Sequence, residues 1–125
     1  MTDDRPSVLI IDDDVVLAGA FAQVLTREGY RVRLANSAER GLQEVAASAP
    51  DAIILDFRMP MINGTGFLYR LRASEAHQHT PVVVITGDTS LTDEVRAELR
   101  DLGATIRMKP VGVEELVATM RGLLC

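Results

Sequence analysis

Three short, unbroken apolar runs mark the chain, and each is closed by a polar side chain. Residues 7–11 run into Asp12, Asp13 and Asp14, residues 52–55 into Asp56, and residues 81–85 into Thr86. Each run is too short for a helix and rich in Ile and Val, which reads as a strand buried on both faces. A more mixed run, 104–108, ends on Lys109 followed by Pro110. Residues 31–35 alternate and predict one further strand, second in chain order and more exposed than the first.

Between these runs the apolar spacing is helical. Leu17, Phe21, Val24 and Leu25 predict a helix from Asp14 or Val15 to about Glu28, capped by one of the aspartates and ended by Gly29. Asn36 to Glu39 reads as a capping box, opening a helix whose inner face carries Ala38, Gly41, Leu42, Val45 and Ala46. Gly64 and Gly66 read as loop residues after Pro60, with a helix from about Thr65 to Ser74 that buries Phe67, Leu68 and Leu71. Residues 77–81 form a polar connector in which His77 and His79 are expected to be solvated. Leu91, Val95, Leu99 and Leu102 mark a fourth helix, ended by Gly103, and Val113, Leu116, Val117, Met120, Leu123 and Leu124 a fifth.

Five strands alternate with five helices, without repeat or linker. Strands written as continuous apolar runs suit a parallel sheet, and right-handed crossovers then place helices on both faces. The predicted fold is α/β: a doubly wound (βα)5 sandwich on a parallel five-stranded sheet of order 2-1-3-4-5, one domain over residues 1–125. That order opens a crevice between the C-terminal ends of strands 1 and 3.

Composition narrows the function. With 13 basic and 18 acidic residues the formal charge is −5, which argues against nonspecific nucleic-acid or membrane-surface binding. The lone cysteine, Cys125, is the last residue, so neither a disulfide framework nor a cysteine metal site is expected. No apolar run approaches ~18 residues, and the start of the chain is polar and acidic, unlike a secretory signal. The expectation is a cytoplasmic protein without membrane contact.

Every strand of such a sheet delivers its last residue to one edge, so Asp12, Asp13, Asp56, Thr86 and Lys109 converge there. Clustered carboxylates repel unless a cation is present, and an oxygen-only set without His or Cys suits Mg²⁺. With its charge offset, Asp56 can attack phosphorus as a carboxylate nucleophile. Lys109 is a point charge for a phosphoryl oxygen, and Thr86 a hydroxyl donor to the same group. Plainer roles exist for each residue: helix capping for one aspartate of the run, turn formation for Asp56, a solvated lysine at 109. Three aspartates in succession after a buried strand exceed what capping needs.

With those residues assembled, the chain resembles the receiver domains of two-component response regulators. The resemblance rests on residues 8–13, on Leu55 to Pro60 with Gly64 downstream, on Ile85 to Gly87, and on Met108 to Pro110. It implies that Asp56 is the phosphoacceptor and that Asp12, Asp13, Asp56 and the backbone carbonyl of Arg58 hold Mg²⁺. It implies further that Thr86 is the switch hydroxyl, that Lys109 pairs with the phosphoryl group, and that the Lys109–Pro110 bond is cis. The implied donor is a sensor histidine kinase or histidine phosphotransfer protein. The implied output is a surface on the fourth helix, fifth strand and fifth helix, reaching a downstream protein, a missing effector domain or a homodimer formed on phosphorylation. A signalling module rather than an enzyme is expected. Two departures bear on this. Ile106 stands where the family carries an aromatic switch residue, and Arg58 and Asp88 fall at the variable positions flanking the site, where an ion pair across the mouth is expected to hinder water. Two other readings share parts of the pattern. One is a haloacid-dehalogenase-like hydrolase with Asp12 as nucleophile, which is short of a last acidic motif. The other is a flavodoxin-like flavin binder, whose phosphate the three aspartates would repel.

Overall fold

The computed structural model describes residues 4–124 apart from 88 and 90. Cys125 and Asp88 therefore lie outside the described residues, and with Asp88 the expected ion pair to Arg58. The strands are β1 (Ser7–Ile11), β2 (Arg31–Ala35), β3 (Ala52–Asp56), β4 (Val82–Thr86) and β5 (Ala104–Met108). All pair in parallel, in the order β2-β1-β3-β4-β5. The helices are α1 (Val15–Arg27), α2 (Ala38–Ala47), α3 (Gly64–Arg72), α4 (Asp93–Asp101) and α5 (Val113–Leu124), with a short 3-10 turn at Glu75–His77.

Strand periodicity divides the core in two. Leu9, Ile11, Ile53, Leu55, Val82 and Val84 face one side, where they meet Val45 of α2, Phe67, Leu68 and Leu71 of α3, and Leu99 of α4. Their neighbours Val8, Ile10, Ala52, Ile54, Val83 and Ile85 face the other, against Phe21 and Leu25 of α1 and Leu116 and Met120 of α5. Every residue of β1, β3 and β4 is buried, whereas β2 is mostly open. The central strands can therefore place a polar group only where they leave the sheet.

Helix ends follow local chemistry. Asp14 caps α1, its Oδ1 accepting the Leu17 N–H at 3.1 Å. Beyond the other end of α1, Gly29 takes φ 96, a left-handed conformation that glycine adopts without Cβ strain. Four expectations are corrected. The cap of α2 is Ser37, which accepts the Arg40 N–H at 3.1 Å, so the helix begins one residue later than a capping box on Asn36 requires. Gly64 and Gly66 belong to α3 rather than to the preceding loop, because Asn63 accepts the Gly66 N–H at 3.0 Å and starts the helix there. Ala46 is exposed, since at 100° per residue it lies about 80° round from Ala38, outside the buried arc. Val113 keeps 60% of its surface exposed, so the buried stripe of α5 begins one turn later, at Leu116 and Val117.

His77 is the larger surprise. It is buried rather than solvated, in the 3-10 turn, with Nδ1 3.2 Å from the Thr80 hydroxyl. The half-buried Arg72 organises this corner. Its Nε donates to Leu102 O at 2.8 Å, and its Nη1 to His77 O at 2.8 Å and Thr80 O at 2.7 Å. One guanidinium thus ties the end of α3 to the turn before β5 and the entry to β4. Arg72→Met keeps the aliphatic stem and strands three carbonyls. Denaturant unfolding is expected to show a loss of about 2–4 kcal/mol, and an unchanged midpoint would contradict the clasp.

Candidate phosphoacceptor site

The three consecutive aspartates have three different surroundings. Asp12, the first residue past β1, is buried, and its Oδ1 accepts the Asp14 N–H at 2.9 Å. Asp13 is exposed and faces the cleft. Asp14 serves the helix. Asp56, the last residue of β3, is buried at 6% exposure, and its carboxylate accepts the backbone N–H of Arg58. Carboxylate oxygens of Asp12, Asp13 and Asp56 all lie within 4.8 Å of one another.

Lys109 completes the group. Its Nζ lies 3.1 Å from Asp56 Oδ1, and its backbone N–H donates to Thr86 O at 2.8 Å. The Lys109–Pro110 peptide is cis, as the resemblance implied. Thr86 is 1% exposed and reaches the wall of the cleft, a cavity of about 450 Å³ that Asp13, Asp56 and Lys109 also line. Side chains from four strand ends, far apart in sequence, thus meet as expected: Asp12 and Asp13 after β1, Asp56 on β3, Thr86 on β4 and Lys109 after β5. The Arg58 amide hydrogen bond to Asp56 was not foreseen; nothing in a side-chain pattern announces a backbone donor. Ile106 is half-buried and packs toward α4 and its neighbours.

Residues 8–121 match the family described as the response regulator receiver domain. The chain belongs to that family. Receiver domains of this kind are the phosphorelay signalling modules of two-component systems. The response regulator MprA of Mycobacterium ulcerans is 34% identical over 118 residues, which are 94% of this chain and 49% of that protein. The receiver thus spans about half the length of the curated relatives it matches. Among solved structures, the chemotaxis protein CheY4 of Vibrio cholerae is similar with a TM-score of 0.88 and 28% identity, covering 96% of this chain and 99% of that one. A CheY-like receiver domain protein from Methanospirillum hungatei gives 0.89 and 25% identity, with 97% and 94% covered. Among the described residues, no helix is long and apolar enough to cross a membrane.

The electrostatics of the receiver's acid group are uneven. Burial pushes the Asp12 carboxyl up from 3.8 to about 6; the Asp14 N–H opposes this, and the charge of Asp56 adds to it. Burial also raises Asp56, but the Lys109 ammonium works against the rise. Lys109 hydrogen-bonds Asp56 but acts on Asp12 only through its charge, so the burial of Asp12 is the less compensated of the two. A site with buried carboxylates held this close, and no nitrogen or sulfur ligand among them, fits a hard divalent cation.

The sign of the pH dependence follows. A carboxyl with a raised folded pKa stabilises the fold fully below its unfolded value, and that contribution is lost as pH rises through the folded value. For Asp12 the loss falls between 3.8 and about 6. The amount is at most about 3 kcal/mol. Metal-free thermal melts are expected to lose stability across that window, Asp12→Asn to remove most of the loss, and Mg²⁺ to stabilise the wild type increasingly above it. A metal-free curve of the same slope in wild type and Asp12→Asn would contradict the assignment.

Proposed function

We propose that Asp56 accepts a phosphoryl group from the phosphohistidine of a histidine kinase or phosphotransfer protein. The observation that carries this reading is the 3.1 Å contact between Lys109 and Asp56 inside a crowded carboxylate group. A lysine aimed at one of several aspartates marks that one as the position where negative charge is handled.

An Asp56 oxygen attacks phosphorus, an acyl phosphate bond forms, the P–N bond of the donor breaks, and the imidazole keeps the bonding electrons. The Lys109 ammonium shifts from the carboxylate to a phosphoryl oxygen, exchanging one anionic partner for another. The Thr86 hydroxyl, held at the cleft wall, donates to a second oxygen. The Arg58 N–H keeps the carboxyl oriented. Asp12, Asp13, Asp56 and the Arg58 carbonyl would hold Mg²⁺, which would neutralise charge on the transferring group. Asp12, whose burial is less compensated than that of Asp56, would gain most from the cation. The hydrolase reading with Asp12 as nucleophile is less well supported, since Asp12 is occupied by the Asp14 N–H and pairs with no lysine.

The whole of 1–125 acts as one receiver module, and its output passes through α4, β5 and α5 to a protein partner or to an effector region of a longer chain. Contacts along β5 support that route: Arg107 reaches Thr119 of α5 at 3.4 Å, and the sulfur of Met108 lies 3.9 Å from Arg96 of α4.

Incubation with acetyl phosphate and Mg²⁺, followed by trapping and peptide mass spectrometry, is expected to put the label on Asp56. Asp56→Asn should abolish labelling, and Lys109→Met should slow it on the order of 100-fold. Label recovered on Asp12 in the wild type would overturn the reading.

A further inference from the structure

Another cavity, of about 160 Å³, opens at the other end of the sheet from the acid group. It lies between α2 and α3, beside the turn that leads into β4, whereas Thr86 stands where β4 ends. Leu42, Val45 and Leu71 give it apolar walls. Ala46 lines it from the exposed side of α2, so the position outside the buried arc of that helix falls on this cavity.

Its distinctive polar group is His77, which lines the cavity with only 9% of its surface exposed. Nδ1 is engaged by the Thr80 hydroxyl, while Nε2 has no protein partner among the described residues. Among the same residues no unpartnered side-chain nitrogen or oxygen is sealed from solvent, so Nε2 opens on the cavity. Arg72 fixes the turn that carries the ring, donating to the carbonyls of His77 and Thr80 at 2.8 and 2.7 Å. An imidazole nitrogen held in an apolar wall, with one hydrogen bond unmade, suits an apolar ligand that carries one polar atom.

Charge around the cavity narrows the class of that ligand. Among the described residues no carboxylate lines it, so a cation finds no counterion. Arg70 lines its rim, but the remaining lining comes largely from the last two turns of α2 and α3, where helix carbonyls carry negative partial charge. These oppose each other, which leaves an anion little to gain. A neutral molecule is favoured, and a guanidinium at the rim favours a π face over an alkyl chain. A hydroxyl donates to a bare imidazole nitrogen and accepts from a protonated one, so it satisfies Nε2 in either tautomer. The volume suits a single ring. We propose that this cavity binds a small neutral phenol, its ring between α2 and α3 and its hydroxyl on His77 Nε2.

Phenol itself is the probe, titrated into the isotope-labelled chain by NMR, with toluene and benzoate as comparators. Phenol is expected to shift the amide signals of residues 42–46 and 74–80 saturably, with a Kd on the order of 1 mM. His77→Phe keeps a ring and loses the nitrogen; it should weaken phenol about fivefold and leave toluene nearly unchanged. Ala46→Leu narrows the cavity from the exposed side of α2 and should weaken both about tenfold. Equal weakening of phenol and toluene by His77→Phe would overturn the hydroxyl contact, and benzoate binding more tightly than phenol would overturn the neutral class. Phenol shifts confined to the acid group, or none that saturate, would overturn the site. If His77→Phe does not fold, Ala46→Leu decides: undiminished phenol binding to that variant would overturn the proposal.

Discussion

Three carboxylates share a space less than 5 Å across at the edge of a sheet whose three central strands are buried on both faces, and one ammonium stands against them. Most of what is distinctive in this chain follows from that crowding. The sheet requires the middle strands to be apolar from end to end, so polar side chains can only gather where those strands stop. Having gathered, they cannot all be charged in the absence of a cation without cost. The Lys109 ammonium offsets Asp56, backbone N–H groups of Asp14 and Arg58 offset part of the rest, and Asp12 is left with a carboxyl that ionises only near pH 6. The fold keeps an electrostatic deficit at this edge, which binding of a cation would relieve.

That deficit also explains why the lysine is tied down from both ends. Its backbone N–H is bonded to Thr86 O while its side chain reaches Asp56. The ends of β3, β4 and β5 are thereby joined through one residue. The residues just before it spread outward: Arg107 toward α5 and Met108 toward α4. A change in what Lys109 pairs with is mechanically close to both helices. Ile106, half-buried under α4, packs into the core and offers no aromatic ring to swing.

The architecture was legible because its rules are periodic. Buried runs such as 52–55 and 82–85 declare parallel strands, and the strand order places Asp12, Asp56 and Lys109 at one edge before any coordinate is known. What the pattern missed was set by geometry that no period encodes. Asn63 caps α3 early and draws Gly64 and Gly66 into the helix. His77 is buried by a 3-10 turn too short to show a stripe. Arg72, a charged residue in a helix otherwise read for its apolar face, bonds three backbone carbonyls contributed by segments on either side of β4. Within the site, side-chain identities were readable and backbone donors were not.

The central claim, that buried carboxylates here wait for a cation, is tested most directly by counting protons. Mg²⁺ is titrated into the wild-type chain by calorimetry near pH 6, in buffers of differing ionisation heat, and again well above that pH. Asp12 is about half protonated near pH 6 and, as a proposed ligand, would have to ionise to bind the metal, so about half a proton should leave per Mg²⁺ bound there, falling to none at the higher pH. Binding with the same proton count at both, or no binding at either, would contradict the account.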